Sequence, residues 1–148
     1  MIRIVDTEED IKKLEELRLK CIRVADDRYK MTDPRKTEMG SKMLDKENIG
    51  IALEEKNKLV AGCIVSDHKD KLYLEWIFTD RKQRKKGYAT QLLKYIEANL
   101  NNFSEYYNES FDGILLEPYI AVEGFYVKNG YQLIENENMV KIIKRNNK

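Results

Sequence analysis

The chain has 148 residues, 42% of them hydrophobic, so it can form one domain, residues 1–148, with a core that needs neither disulfides nor a structural metal. Its 27 basic and 26 acidic side chains nearly cancel, which argues against nucleic acid or an anionic membrane as the main partner. Cys21 and Cys63 form no CxxC pair, one histidine leaves no metal cluster, and no apolar run approaches the roughly 20 residues of a membrane span, so we expect a cytoplasmic protein without a metal.

The N-terminal part of the chain predicts one strand and two helices. Met1–Val5 alternates apolar and polar residues as a short strand does, and Thr7 with Asp10 resembles a capping box that opens a helix. Asp33-Pro34 is typical of the start of a second helix. The predicted buried residues of these two helices are Ile11, Leu14, Leu17 and Cys21 in the first and Met39, Met43 and Leu44 in the second.

The middle of the chain predicts three strands and then a well-defined helix. The strands form an antiparallel meander over Ile49–Glu54, Leu59–Ser66 and Leu72–Thr79. After Gly87, apolar residues recur at helical spacing at Ala89, Leu92, Leu93, Ile96 and Leu100. Residues 101–112 are polar with several aromatics and fit either a loop or a helical extension.

The last third of the chain adds further strands and one short helix. The predicted strands are Gly113–Leu116, Tyr131–Ile134 and Met139–Ile143. A helix over Ala121–Lys128 ends at Asn129-Gly130, a pair typical of helix termination. The whole pattern predicts a mixed α and β protein.

A basic turn centred on glycine joins the third meander strand to the helix after it. The segment Arg84–Thr90 has the sequence RKKGYAT, and Gly87 lets a ligand approach the backbone closely. The first amides of a helix and the positive end of its dipole favour an anion. Five of the six residues from Arg81 to Lys86 are basic, which on its own would also fit a solvated turn or a nucleic-acid patch. In this context we interpret the turn as a phosphate cradle.

A second motif, Gly124–Tyr131 with the sequence GFYVKNGY, follows the first by some forty residues. The two motifs in this order resemble the GCN5-related N-acetyltransferase (GNAT) superfamily. The resemblance spans nearly the whole chain, although the N-terminal third matches only in layout. It implies a GNAT-like domain with a central, mostly antiparallel twisted sheet of about six to seven strands, flanked by about four helices.

The resemblance also implies where acetyl-CoA, the cosubstrate, binds. The backbone amides that hold its pyrophosphate would belong to Arg84, Lys85, Lys86, Gly87, Tyr88, Ala89 and Thr90. The main chain of Ile77, Phe78 and Thr79 would bind the pantetheine arm as an added strand does. Tyr126 falls where many members keep a tyrosine near the cofactor sulfur. A phenol of pKa about 10 can protonate a thiolate whose conjugate acid lies near 8.5, so Tyr126 is the expected general acid.

The sequence departs from the family pattern at three positions. The histone-acetylating branch has a glutamate fourteen residues before the first motif glycine, where this chain has Tyr73. Glu75 lies on the same strand face and could act as the base in its place, or water could relay the proton. Tyr119 and Val122 stand where the family often has asparagine and alanine. Tyr126 could also be a core aromatic and Glu75 a structural residue.

The resemblance implies direct acetyl transfer to an amine in a ternary complex. The acceptor stays open between an amine-bearing small molecule and a protein amine, because the region 26–48 that would admit it carries both charges. Two alternatives remain: a non-catalytic acyl-CoA sensor of the same fold, and a toxin-type enzyme that acts on aminoacyl-tRNA. The family often pairs through sheet edges, so a homodimer is also considered.

Overall fold

The computed structural model of the chain describes residues 1–29, 39–118, 122–135 and 138–143. Within these residues it contains seven strands and five helices, in agreement with the predicted mixed fold. The strands are β1 (Ile2–Ile4), β2 (Asn48–Glu55), β3 (Lys58–His68), β4 (Lys71–Thr79), β5 (Gly113–Leu116), β6 (Gln132–Leu133) and β7 (Met139–Ile142). The helices are α1 (Glu8–Tyr29), α2 (Met39–Leu44), α3 (Tyr88–Ala98), α4 (Leu100–Tyr107) and α5 (Glu123–Lys128).

The seven strands form one sheet in the order β1-β2-β3-β4-β5-β7-β6. β1 pairs with β2 antiparallel, and β7 pairs antiparallel with both β5 and β6. β4 and β5 are parallel, with Lys71–Leu74 in register with Gly113–Leu116. By its contacts the chain divides into two compact units, Met1–Ile64 with Trp76–Leu92 and Val65–Glu75 with Leu93–Lys148.

The core of the first unit forms around one face of α1. Thr7 begins the helix, because its Oγ1 accepts the N–H of Asp10 at 3.1 Å. The Asp10 carboxylate also accepts from the guanidinium of Arg3 at 2.8 and 3.2 Å. The predicted face of α1 is buried, and so are Met39 and Met43 of α2. The prediction for Leu44 was wrong, because this last residue of the short α2 is 52% exposed. These side chains pack with Val5, Ala52, Ile64 and Phe78.

The core of the second unit forms around α3, α4 and β5. Leu93 and Ile96 of α3 are fully buried, and Leu100 and Phe103 extend the apolar face into α4. The two helices meet at Asn99, whose side chain donates to the carbonyl of Tyr95 at 2.8 Å. All four residues of β5 are buried, as expected for a strand paired on both sides.

Several element boundaries differ from the sequence-based prediction, and one open segment is decided. α1 continues to Tyr29, into the region 26–48, because adding residues to an existing helix is far easier than starting a new one. The segment 101–112, for which a loop and a helical extension were both open, is helical as far as Tyr107, because α4 spans Leu100–Tyr107. β6 is shorter than predicted. The predicted helix start at Asp33-Pro34, and Ala121 at the start of the last helix, lie outside the described residues.

Candidate functional site

The connection between β4 and α3 turns twice between residues 80 and 87. The first turn is a short 3-10 helix, Arg81–Gln83, which Asp80 caps by accepting the N–H of Lys82 on Oδ1 at 3.2 Å. The second turn places Lys85 at a φ of 67° and Gly87 at a φ of 78°. Glycine adopts this left-handed conformation freely, whereas a lysine there costs about 1 to 2 kcal/mol. The surrounding turn must therefore hold Lys85 in place.

Gly87 leaves room for a ligand beside the start of α3. A Cβ added to Gly87 would meet nothing within 4 Å. The N–H of Gln91 donates to the carbonyl of Gly87 at 3.0 Å, as the first turn of a helix requires. The amides of Tyr88, Ala89 and Thr90 precede that bond and have no partner within the helix. The glycine turn and the helix start that the sequence predicts are thus present as backbone geometry.

The charge around this turn favours an anion. Arg84, Lys85 and Lys86 are exposed, and the Lys86 Nζ donates to Oε1 of Gln83 at 2.8 Å. The first turn of α3 contains no acidic residue, so nothing in it opposes the positive end of the helix dipole. Open space, helix amides and cations together fit a diphosphate.

The end of β4 leads directly into this turn. Phe78 is buried in the core, whereas Ile77 and Thr79 are half-buried. The Cys21 thiol of α1 donates to the carbonyl of Thr79 at 3.3 Å. Burial raises the pKa of this thiol to about 11, with Arg84 opposing the shift and Asp80 adding to it. The ten residues predicted to bind the cofactor thus all belong to the first unit.

Tyr126 belongs to the second unit and lies in α5. It is 6% exposed, and its ring packs edge-on against Phe125 and Tyr131, with centroid distances of 5.2 and 5.8 Å. Tyr131 is held in turn, because its hydroxyl donates to Oε2 of Glu97 at 3.1 Å. The Lys141 Nζ donates to the other Glu97 oxygen and to the carbonyl of Asn129, each at 2.9 Å. These contacts fix the end of a helix too short to be stable alone.

Glu75 lies in a polar cleft of the second unit. The cleft has a volume of about 350 Å³ and is lined by Ser66, Asp67, His68, Tyr73, Glu75, Leu115, Glu117 and Asn138. The Ser66 hydroxyl donates to Oε2 of Glu75 at 2.8 Å. Burial raises the pKa of Tyr73, and the negative charges of Glu75 and Glu117 add to the shift. A carboxylate in such a cleft could accept a proton from an amine.

Sequence reasoning missed several residues of this cleft. His68 is the last residue of β3, and its ring lies 6.0 Å from that of Tyr73. Ser66 and Glu117 were not considered. The alternation of side chains along β3 gave a partial signal, because Ser66 and His68 share one strand face as Tyr73 and Glu75 do. Their pairing across strands needs the register, which the sequence does not contain.

The described ranges contain neither a metal cluster nor a membrane-spanning helix. No group of three or more His, Cys, Asp or Glu side chains placed to bind a metal ion was found in those ranges. Among the described helices, none is both long and apolar enough to span a bilayer.

Comparison with solved structures identifies the fold. The PaiA N-acetyltransferase of Thermoplasma acidophilum, in complex with coenzyme A, aligns with a TM-score of 0.76 at 15% identity, over 96% of this chain and 99% of its own. An aminoglycoside 6'-N-acetyltransferase from Enterococcus faecium gives 0.70 at 16% identity, over 100% and 99%. The ribosomal-protein-S18-alanine N-acetyltransferase of Escherichia coli gives 0.70 at 13%, over 98% and 94%. At these identities the likeness shows the fold alone.

Comparison with families goes further than the fold. No match was found among curated proteins. The family model described as an acetyltransferase (GNAT) domain matches residues 39–133, well over half of the chain, and includes β4, the glycine turn and α5. The chain therefore belongs to the GNAT family of acetyltransferases.

Proposed function

We propose that this protein transfers an acetyl group from acetyl-CoA to an amine, in a ternary complex without an acyl-enzyme. The observation that carries the proposal is the turn at Gly87, where an open approach, the first amides of α3 and exposed cations coincide. The amides of residues 84–90 bind the diphosphate. The main chain of Ile77, Phe78 and Thr79 binds the pantetheine arm.

The reaction moves two protons. The amine must attack the thioester carbonyl uncharged, so Glu75, directly or through water, accepts its proton as the C–N bond forms. Tyr126 donates a proton to the sulfur as the C–S bond breaks. An acetyl-cysteine intermediate on Cys63 forms no part of the proposal. The Cys63 thiol is fully buried and burial raises its pKa, which makes it a poor nucleophile. Both cysteines are free and buried, which fits the reducing cytoplasm.

The acceptor is a primary amine of a small molecule or of a protein. The acceptors named for two structural neighbours, an aminoglycoside and the alanine of ribosomal protein S18, set the first compounds to screen. Kanamycin, lysine and a peptide with an N-terminal alanine form a suitable panel. Release of free CoA thiol upon addition of each amine measures turnover.

The proposal is tested first by titration calorimetry with acetyl-CoA. Wild type is compared with Gly87→Glu, which fills the open space and repels the diphosphate, and with Gly87→Ala, which adds strain at positive φ without charge. Gln132→Glu adds the same charge at an exposed position of β6 and serves as the control. We expect binding to be lost in Gly87→Glu, weakened in Gly87→Ala and kept in the control. A folded wild type that does not bind acetyl-CoA would refute the proposal.

Turnover is tested next with the amine panel. Acceptor-dependent thiol release that disappears in Gly87→Glu supports an acetyltransferase. Tight acetyl-CoA binding with no thiol release from any amine, including longer peptides and polyamines, would instead support an acyl-CoA sensor.

A further inference from the structure

Asp80 is a buried carboxylate at the junction of β4 and the phosphate turn. It is 3% exposed. Its backbone N–H donates to the carbonyl of Val60 at 2.8 Å, which ties the residue to β3. Its own carbonyl accepts the N–H of Gln83 at 2.8 Å, and its Oδ1 accepts the N–H of Lys82. Asp80 thus joins the sheet to the turn through both its backbone and its side chain.

The burial of the Asp80 carboxylate must be compensated by specific contacts. Burying a charge is unfavourable unless hydrogen bonds or a counter-charge compensate. The Lys20 Nζ lies 3.8 Å from Oδ1, but the Lys20 side chain is 63% exposed, so this ion pair is weak. The direct partner is the amide of Lys82, as at the N-cap of a helix. The carboxylate therefore acts mainly as a cap.

The capped turn determines how the cradle begins. Gln83 closes the turn on Asp80 with its backbone and holds the Lys86 ammonium with its side chain. Lys86 lies between the two positive-φ residues, Lys85 and Gly87. Since a lysine does not adopt positive φ unaided, its conformation depends on the turn before it. The path from Asp80 to Gly87 is thus short and hydrogen-bonded.

We propose that Asp80 is the positioning residue of the diphosphate cradle, and that it acts through its capping bond rather than through its charge. This inference rests on the proposed function, because it assumes that the turn binds the diphosphate of CoA. The Asp80 carboxylate organises the backbone amides that receive the ligand. Its negative charge opposes the same ligand, since both are anions.

Two conservative substitutions separate the cap from the charge. Asp80→Asn keeps a capping oxygen of the same reach and removes the charge, because asparagine is an equally good N-cap. Asp80→Glu keeps the charge and moves the carboxylate one methylene out of register. Asp80→Ala removes both. Asp6→Ala, at an exposed aspartate before α1, is the control.

The measurement is titration calorimetry of each purified variant with CoA, with thermal unfolding recorded in parallel. We expect Asp80→Asn to bind CoA as tightly as wild type or more tightly, and both Asp80→Glu and Asp80→Ala to bind about tenfold more weakly or worse. A loss of stability alone would not produce this order of CoA affinities, because a variant that stays folded with an intact cradle keeps its affinity. The control should match wild type.

Several outcomes would overturn the inference. If Asp80→Asn binds weakly while Asp80→Glu binds normally, the charge and not the cap is what matters. If all folded variants bind as wild type does, Asp80 has no positioning role. The comparison of Asp80→Asn with Asp80→Glu decides the question even if Asp80→Ala does not fold. Absence of CoA binding in wild type would instead refute the proposed function, and this inference with it.

Discussion

The Ser66 hydroxyl of β3 donates a 2.8 Å hydrogen bond to Oε2 of Glu75 on β4. This bond orients the carboxylate within the polar cleft and occupies one of its two oxygens. Because Ser66 binds only Oε2, this geometry suits a carboxylate that is held by one oxygen and can accept a proton on the other.

Ser66→Ala removes this donor while Glu75 remains in place. We expect the rate of acetyl transfer to the first active amine of the panel to fall about two- to tenfold, the effect of one net hydrogen bond. The Kd for acetyl-CoA should not change. Ser110→Ala, at an exposed position, is the control. If Glu75 is the base, Ser66→Ala should have no further effect in a Glu75→Gln background, and an additive effect would exclude this coupling.

The backbone of the glycine turn could be predicted from local sequence, whereas the cleft could not. Gly87 and the spacing of Leu92, Leu93 and Ile96 indicate a glycine turn before a helix with one buried face, and both are present. These are local properties, set by φ preferences and by the 3.6-residue period. The positive φ of Lys85 carries no such signal, because lysine does not favour it.

Contacts between distant residues account for most of what was missed. The bond from Ser66 to Glu75 depends on strand register, and the cap at Asp80 depends on where β4 ends against Val60. Neither has a local sequence signature. The role of Glu15, which joins two helices, is a third example, since its partners are at positions 18 and 40.

Glu15 is predicted to be the most important acidic residue for the stability of the first unit. Its carboxylate accepts from Arg18 at 2.6 and 3.1 Å and from the amide of Gly40 at 3.0 Å. Arg18 is 1% exposed, with its guanidinium 5.1 Å from the centre of the Trp76 ring. Glu15→Ala leaves this buried cation without that carboxylate, so the free energy of unfolding should fall by about 3 kcal/mol.

Urea denaturation of Glu15→Ala and of Glu16→Ala measures this difference. Glu16 is the neighbouring exposed residue of α1, and its loss should change the free energy of unfolding by less than about 0.5 kcal/mol. Equal effects of the two substitutions would show that the buried ion pair contributes nothing specific.

The contribution of Asp10 to stability should depend on pH. Hydrogen bonds from Arg3 hold the pKa of Asp10 below its usual range, although burial opposes the shift. A carboxyl with a lowered folded pKa stabilises the protein above its unfolded pKa of about 3.9, and this contribution is lost as the pH falls through the folded value. Asp10→Asn should therefore lower stability at pH 7 by under about 1 kcal/mol, because the pair is partly exposed.

Denaturation curves at pH 7, 5, 4 and 3 test this dependence. The difference between wild type and Asp10→Asn should be constant from pH 7 to 5 and shrink below about pH 4. Asp6→Asn, which removes an exposed carboxylate, should show no such trend. A difference that persists unchanged to pH 3 or below would mean that the ionised carboxylate is not the source.

The two buried thiols should make the protein less stable at alkaline pH. Burial raises the pKa of Cys21 to about 11 and that of Cys63 higher still. An unfolded thiol ionises near pH 8.5, so the stabilising contribution is complete below that value and is lost progressively above it. Between pH 8.5 and 9.5 each thiol can lower the free energy of unfolding by up to about 1.4 kcal/mol per pH unit.

The variant Cys21→Ala/Cys63→Ala tests this dependence. It should be less stable at pH 7, because both side chains are buried, but its stability should change less between pH 8.5 and 9.5. Iodoacetamide should label both thiols of the wild type slowly under native conditions and quickly in urea. Rapid native labelling, or an unchanged alkaline slope in the variant, would contradict the buried neutral state.

Tyr126→Phe separates catalysis from binding at the proposed general acid. The substitution keeps the ring that packs against Phe125 and Tyr131 and removes only the hydroxyl. If that hydroxyl protonates the leaving sulfur, the single-turnover rate should fall roughly 100-fold or more, as for other general acids. The Kd for acetyl-CoA should stay within about twofold, because the diphosphate and pantetheine contacts come from other residues. Tyr106→Phe, at a half-exposed tyrosine of α4, is the control.

The contacts around Tyr131 give this test a second arm. Tyr131→Phe breaks the bond to Glu97 that fixes the ring beside Tyr126, and a small displacement of a catalytic group can reduce the rate strongly. We expect Tyr131→Phe to slow the single-turnover rate in the wild-type background and to add little in Tyr126→Phe, since both would act on one proton transfer. Fully additive effects would separate Tyr131 from Tyr126. A Tyr126→Phe enzyme with normal turnover would show that Tyr126 is a core aromatic and that another donor protonates the thiolate.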